Sequence, residues 1–211
     1  LMAGRERKTV EVYDPATNTW TTGAAHPLNK ALHHFQPVVV DGLIFVVNAY
    51  TGTCCDDDEQ GATNIYVYDP VADLWITGRT IPEMRRRGSA GLVQYQDTLY
   101  ILGGLNGGHG RPTSRSFDYF DSYNPYTNDW QILPDMPNER DHFGAGIVGD
   151  QIYAVGGRDT GQGNGTFGDP QPAADVYDIS EGTWVTLQNL QPTERGGTAT
   201  AVLGGDVIVI G

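Results

Sequence analysis

The sequence has little cysteine, little lysine and no long apolar segment. Its two cysteines, Cys54 and Cys55, are neighbours, and adjacent Cα atoms lie about 3.8 Å apart, closer than the roughly 4.4–6.8 Å of an ordinary disulfide. Disulfides within the chain therefore cannot staple distant segments, and only a vicinal bond could form. The apolar runs, such as residues 43–47, fall far short of the roughly 18 residues that a membrane-spanning helix needs. Membrane insertion is therefore not expected.

Basic side chains are scarce as well. The chain has 13 lysines and arginines against 26 aspartates and glutamates, which gives a net charge of −13. An acidic surface repels phosphate backbones, so nucleic acid is not an expected partner. The acidic, lysine-poor composition favours an extracellular or periplasmic location over the alternative, the cytoplasm.

Aromatic residues recur at a fixed interval, and no stretch shows helical periodicity. Four tyrosines and all four tryptophans of the chain repeat every 54 or 55 residues, each tryptophan seven residues after its tyrosine. The pairs are Tyr13 and Trp20, Tyr68 and Trp75, Tyr123 and Trp130, and Tyr177 and Trp184. A repeat of this length is typical of propellers and solenoids.

Each repeat predicts four short strands joined by turns. In the repeat at residues 142–190, apolar segments are separated by Gly149-Asp150, by the glycine pair Gly156-Gly157 and by the sequence DISEGT, all of which favour turns. One such sheet cannot bury both of its faces, so consecutive sheets are expected to pack face to face with the aromatic residues between them. This arrangement is a β-propeller. The repeats divide residues 1–211 into portions of about 1–29, 30–84, 85–139, 140–194 and 195–211.

The order of these features resembles the kelch repeat. The segments ILGG, YNPYTNDW and MPNER, and then AVGG, YDISEGTW and QPTER, follow its pattern of strand, paired glycines, tyrosine, tryptophan and a proline followed by arginine. The resemblance implies an all-β kelch propeller. It also implies structural roles for the repeated aromatic residues and for the paired glycines, which are Gly103, Gly104, Gly156 and Gly157.

Some repeats depart from this pattern. Asn48 and Ala49 stand where one repeat should have its paired glycines, Ala3 and Gly4 stand there in another, and Ile179 replaces a proline. Differently shaped loops are therefore expected after the second strands of these repeats.

The sequence starts and stops at the end of a second strand, which leaves two architectures open. In the first, which we favour, the chain is a segment of a larger propeller of six to eight blades. In the second, the strands at 198–211 pair with those near residues 10–20 and close a ring of four blades. A segment would leave blade edges and faces uncovered, where the chain could associate with other chains or with further blades.

Basic residues follow the same repeat. Lys30, Arg85, Arg140 and Arg195 are 55 residues apart, and each lies three residues after a proline. They precede the predicted innermost strands, so they could ring one mouth of the central channel and bind an anionic ligand. The candidate ligand-binding residues are Arg85, Arg87, Arg140, His142, Arg195, Arg158 and His34. The alternative is structural, with each arginine capping loop carbonyls or pairing with an acid such as Glu139 or Glu194.

Other patterns carry weaker signals. The acidic run at residues 56–59 could offer oxygen ligands to Ca²⁺ together with Asn64 and Asp69, but its spacing favours a solvated loop. The adjacent His33 and His34 would point to opposite faces of a strand, which makes them a poor pair of metal ligands. A glycosylation sequon begins at Asn164. No metal ligand and no cofactor are predicted.

The sequence matches none of the common catalytic templates. It has no nucleophile elbow, no P-loop and no zinc-protease motif, and the copper-site residues of galactose-oxidase-like enzymes cannot be placed on it. We therefore expect a non-catalytic module that binds a protein or glycan partner. Its long loops at residues 50–64, 105–116 and 158–174 would form the binding face. The alternatives are a fragment of a secreted carbohydrate-active or galactose-oxidase-like enzyme, and a structural subunit of a larger assembly.

Overall fold

The computed structural model describes residues 8–53, 58–109, 111–161, 169–188 and 191–211. In these ranges the chain forms three four-stranded antiparallel sheets, with a two-stranded hairpin before them and another after them. We call the hairpins A and B and the sheets blades I, II and III. The helical structure of the described ranges is a 3₁₀ turn at Glu83–Arg85. Among the described residues, no helix is long and apolar enough to cross a membrane.

The strands follow one another in chain order. Hairpin A contains β1 (Glu11–Asp14) and β2 (Thr19–Thr22). Next come β3 (Leu32–His33), β4 (Pro37–Val40), β5 (Leu43–Val46), β6 (Tyr50–Thr51), β7 (Gln60–Gly61), β8 (Asn64–Asp69) and β9 (Leu74–Thr80). They are followed by β10 (Gly91–Tyr95), β11 (Thr98–Leu102), β12 (Leu105–Asn106), β13 (Arg115–Ser116), β14 (Phe120–Asn124) and β15 (Asp129–Leu133). The last are β16 (Gly144–Val148), β17 (Gln151–Val155), β18 (Arg158–Asp159), β19 (Asp169–Pro170), β20 (Asp175–Asp178), β21 (Thr183–Thr186), β22 (Ala199–Leu203) and β23 (Asp206–Ile210).

Each blade pairs its strands in sequence order. Blade I is β4-β5-β8-β9, blade II is β10-β11-β14-β15, and blade III is β16-β17-β20-β21. Hairpin B is β22-β23, and short hairpins (β6-β7, β12-β13 and β18-β19) occupy the loop between the second and third strands of each blade. This meander confirms the predicted all-β architecture of kelch-type four-stranded blades.

The repeated aromatic residues are cross-strand partners. Tyr123 lies directly opposite Trp130 in blade II, and the other three tyrosine–tryptophan pairs have the same register. The tight turn between the two residues depends on a side-chain acceptor. Asp69 Oδ1 accepts hydrogen bonds from two backbone amides ahead of it, and Asn124 does the same. In blade III, Asp178 still accepts one such bond from the amide of Glu181, so the turn forms without the proline.

The core lies between consecutive blades. One cluster joins residues of blade I, such as Phe45 and Val67, to residues of blade II, such as Leu92 and Ile101. A second cluster joins Phe120 and other residues of blade II to blade III. Each large apolar side chain buried there stabilises the fold by roughly 1.5–3 kcal/mol, so the blades hold one another together.

The aromatic pairs of the three blades are covered by this stacking, and the pair of hairpin A is not. Tyr177 packs against Phe120 of the preceding blade, with ring centroids 4.6 Å apart, and the other blade tyrosines are also buried. In contrast, Trp20 is 61% exposed and Tyr13 is 43% exposed. The expectation that all four pairs are covered is therefore wrong for hairpin A, because no described segment packs on that face. Hairpins A and B form separate sheets, so they do not close a fourth blade.

The paired glycines adopt conformations that other residues avoid. Gly103 has φ +57°, and a Cβ atom there would lie 2.5 Å from the carbonyl oxygen of Arg140. The corresponding residue of blade I, Asn48, has φ +56°, which asparagine tolerates better than most residues. The loop after Asn48 forms the hairpin β6-β7, equivalent to β12-β13 and β18-β19. The prediction that the loop after Asn48 differs in shape from its equivalents is therefore wrong for the hairpin with which the loop begins.

Candidate functional site

Two sets of loops share one face of the propeller, which we call the loop-bearing face. The segment before the first strand of each blade pairs with the loop after its second strand: β3 pairs with β6, Gly88 with Leu105, and Asp141 with Arg158. The other turns lie on the opposite face, where the hydroxyl of Tyr126 donates to Asp41 at 2.7 Å.

Arg85 and Arg87 are buried beneath this face. Both guanidinium groups pair with Asp121 on β14, with N–O distances of 2.8 and 2.9 Å. Arg87 also donates to the backbone carbonyls of Arg85 and Gly103. These groups fix the loop that enters blade II to the third strand of the same blade.

Arg140 repeats the arrangement in blade III. Its side chain is fully buried, pairs with Asp175 at 2.7 Å, and donates to the carbonyls of Gly156 and Ala173 at 2.9 and 3.0 Å. Arg158, also buried, pairs with Asp141 at 3.2 Å. The geometry therefore favours the structural alternative for the buried arginines. Asp121 and Asp175 lie two residues before the repeated tyrosine of their blade, and Asp141 lies in the segment that leads into blade III. None of these partners is one of the two glutamates considered from the sequence.

The other two basic positions of the repeat are exposed. In blade I, Tyr66 replaces the acid that pairs with arginine in blades II and III, and Lys30 instead pairs with Asp58 at 2.7 Å. Arg195 donates to the carbonyl of Gly211 at 2.5 Å. The predicted positive funnel is therefore not formed, because the buried arginines point their charge into the blades.

Three equivalent positions meet at the axis of the loop-bearing face. His34, Ser89 and His142 each precede the first strand of a blade and have φ of +54°, +56° and +53°. Their backbones are linked in series: Ser89 N donates to His34 O at 2.7 Å, and His142 N donates to Ser89 O at 3.1 Å. A cavity of about 430 Å³ lies beside them, lined by these residues and the starts of the inner strands.

His109, from the loop between β12 and β13, completes a cluster of imidazoles. Its Nε2 lies 2.8 Å from Nε2 of His142, and its ring centroid lies 4.5 Å from that of His34. One ring nitrogen from each of the three histidines lies within 4.8 Å of the other two. Of the three, sequence reasoning proposed His34 and His142 for this face and missed His109, which has no counterpart in the other repeats.

Two buried carboxylates stand behind the imidazoles. Glu59 lies 2.8 Å from Nδ1 of His109, and Asp141 contacts Nδ1 of His142; both acids have fully buried side chains. Burial alone raises the pKa of each carboxyl, but hydrogen bonds from His109 and His142 outweigh it, so the pKa values of both lie below their usual range. Both side chains are therefore ionised at neutral pH.

The same environment favours the neutral form of His34, His142 and His33, because it lowers their pKa values. Burial, followed by the charges of the neighbouring His142 and His109, lowers the pKa of His34 to about 3. Burial also lowers the pKa values of His142 and His33. Neutral imidazoles keep a lone pair on one ring nitrogen, which is the form that binds metal ions.

Two expectations about this region are wrong. His33 and His34 do not point apart: their Nδ1 atoms are 2.6 Å apart, because His34 lies beyond the end of β3 in a left-handed conformation. Glu59 is not part of a solvated loop, since it is 1% exposed and holds His109. The cysteines, the acidic residues 56–57 and the sequon at 164–166 lie outside the described residues.

Comparisons with known proteins agree with this fold. Residues 86–137 and 139–191 match the Kelch motif. Kelch-like protein terF of Aspergillus terreus is 35% identical over 211 aligned residues, which cover 96% of this chain and 42% of that protein. Alpha-scruin of Limulus polyphemus is 27% identical over 173 residues, covering 79% of this chain and 17% of that protein. The chain thus spans less than half the length of these relatives.

The solved structure titled "Structure of YjhT" superimposes with a TM-score of 0.72 at 13% identity, covering 98% of this chain and 72% of that one. At this identity the likeness concerns the fold alone.

Kelch-repeat proteins generally act as protein-interaction modules. From the aromatic register, the paired glycines, the motif matches and the relatives together, the chain belongs to the kelch-repeat β-propeller family.

Proposed function

We propose that this chain is an interaction module that binds a protein partner through its loop-bearing face. The proposal depends on one observation, which is that neighbouring loops on this face are bonded to one another. Ser116 N donates to Thr160 O at 2.7 Å, and Arg111 Nη2 donates to Glu59 O at 3.0 Å. Both bonds join the loop of one blade to the loop of the next.

Such bonds make a continuous surface from three separate loops. A loop that is already held in place loses little conformational entropy on binding, and the affinity of the complex is correspondingly higher. The long loops between second and third strands also supply the exposed polar side chains that differ from blade to blade, such as Asn106 and Arg115. Recognition is therefore assigned to this face and not to the tight turns of the opposite face.

The test is to locate the partner on the molecule. Cross-linking mass spectrometry on the full-length natural protein would identify a partner and the residues that contact it. Affinities would then be measured for Asn106→Arg and Arg115→Glu on the loop-bearing face, with Val71→Ser as the control, since Val71 is 95% exposed on the opposite face.

We expect cross-links to the loops and at least tenfold weaker binding for each loop variant, with unchanged binding for the control. Cross-links confined to the opposite face, or loop variants that bind as tightly as the wild type, would contradict the proposal.

A further inference from the structure

We propose that His34, His109 and His142 form a binding site for a divalent transition metal ion at the mouth of the propeller axis, and that zinc fits its donor set. This site is a property of the chain itself, independent of any protein partner on the same face. Its residues come from three separate segments, which only the stacking of the blades brings together.

The arrangement of donors suits such an ion. Zinc is bound by histidine nitrogens at about 2.0–2.1 Å, so two ligands of a tetrahedral site are about 3.4 Å apart. The Nε2 atoms of His109 and His142 are 2.8 Å apart, and all three donors lie within 4.8 Å of one another. Small rotations of the rings would therefore place them at ligand distances.

The carboxylates behind the imidazoles supply a second argument. Histidines that bind metal ions usually donate their other ring N–H to a carboxylate or a carbonyl, which fixes the tautomer. His109 Nδ1 faces Glu59 and His142 Nδ1 faces Asp141, and both acids are fully buried. Two of the three proposed ligands therefore already have the outer partner that metal-binding histidines require.

The tautomers that the carboxylates favour place two lone pairs face to face between the rings of His109 and His142. If each Nδ1–H donates to its carboxylate, both Nε2 atoms carry lone pairs that face each other at 2.8 Å, and the lone pairs repel unless a cation lies between them. A divalent ion satisfies both lone pairs and also balances the charges of Glu59 and Asp141.

Three protein ligands would leave one coordination position open. The cavity of about 430 Å³ is lined by His34 and His142, so this position would face it. Ser89, whose hydroxyl lies 3.3 Å from His142 Nε2, stands beside the same position. A water molecule or a small anion could therefore occupy it, as at zinc sites with three protein ligands.

The experiment is a metal titration of the purified, metal-free protein. Co²⁺ would be followed by its visible absorption, and Zn²⁺ by calorimetry and by displacement of Co²⁺. The variants are His34→Asn, His142→Asn and His109→Ala, since asparagine tolerates the left-handed backbone at the first two positions. The matched control is the double variant Cys54→Ser/Cys55→Ser, which removes both thiols of the chain. Circular dichroism and tryptophan fluorescence check that each variant is folded.

We expect one equivalent of Zn²⁺ per chain, the intense Co²⁺ spectrum of a four-coordinate site, and at least tenfold weaker binding in each histidine variant. The cysteine variant should bind as the wild type does. The proposal is overturned if the folded wild type binds no stoichiometric metal. It is also overturned if folded histidine variants bind with unchanged affinity, or if the cysteine variant is the one that loses the ion.

Discussion

The buried Arg140–Asp175 pair gives the sharpest test of how the loop-bearing face is held. Replacing Arg140 with alanine removes three hydrogen bonds, those to Asp175, Gly156 and Ala173, and leaves the Asp175 carboxylate buried without its cation. Loss of one partner from a buried ion pair costs about 3–5 kcal/mol. For a domain of this size we therefore expect the melting temperature to fall by roughly 10 °C.

The matched control is Arg195→Ala at the equivalent repeat position. Arg195 is exposed, so its loss should change the free energy of unfolding by less than about 1 kcal/mol. Urea and thermal unfolding, followed by tryptophan fluorescence and circular dichroism, would compare the two. If Arg140→Ala does not fold, Arg140→Lys keeps the charge but cannot reach all three acceptors, and an intermediate loss is expected. Equal stability of Arg140→Ala and the wild type would refute the structural role.

Three further predictions concern backbone strain, packing and pH. Gly103→Ala should destabilise the protein by about 2 kcal/mol or more, because it combines positive φ with a close carbonyl oxygen; Gly149→Ala, which has positive φ but open space, should lose about 1 kcal/mol, and equal losses would argue against the close approach. Trp184→Ala should cost about 3 kcal/mol and Trp20→Ala less than about 1 kcal/mol, since Trp184 packs on Phe120 of the preceding blade and Trp20 is 61% exposed; urea unfolding measures both losses, and the reverse order would contradict the stacking. Burial, aided by Lys8, lowers the pKa of His26 to about 4, so the unfolded chain binds the extra proton below about pH 6.5, and the wild type should lose about 1.4 kcal/mol per pH unit between there and pH 4 relative to His26→Gln. If the free energies of unfolding of the wild type and of His26→Gln changed with pH in parallel, folding would not lower the pKa of His26 and the prediction would be wrong.

The fold could be predicted from the sequence because its determinants are local and repeated. A tyrosine and a tryptophan seven residues apart are typical of a hairpin in which the two residues pair across the strands. Because this spacing occurs in four repeats, the same kind of sheet is predicted in each. The turns depend on single side chains such as Asp69 and Asn124, which accept bonds from the amides ahead of them. A pattern of this kind survives the loss of one element, which is why the repeat with Ile179 still forms its turn.

Coverage of the aromatic pairs was less predictable. Whether Trp20 is exposed depends on what packs against hairpin A, and no residue of hairpin A encodes that. The partners of the arginines were missed for a related reason. Glu139 is next to Arg140 in the sequence, but the guanidinium reaches Asp175 on the third strand of the blade, a pairing that only the folded register reveals.

The histidine cluster could be predicted only in part. His34 and His142 occupy equivalent positions of two repeats, so their placement on one face followed from the repeat. His109 and Glu59 lie in the irregular loops, where spacing carries no positional information, and they meet because loops of adjacent blades touch. The left-handed backbone at His34, which turns its ring toward the axis, is set by the connection between blades and has no signature in the residue itself.

The most direct test of the account is a crystal structure of the zinc-soaked protein, with anomalous difference maps recorded on either side of the zinc absorption edge. The stacking of three blades predicts one anomalous peak, about 2.0–2.1 Å from a ring nitrogen of each of His34, His109 and His142, with Glu59 and Asp141 behind two of the rings. Imidazoles pointing away from one another, or a zinc peak held by a different set of residues, would contradict it.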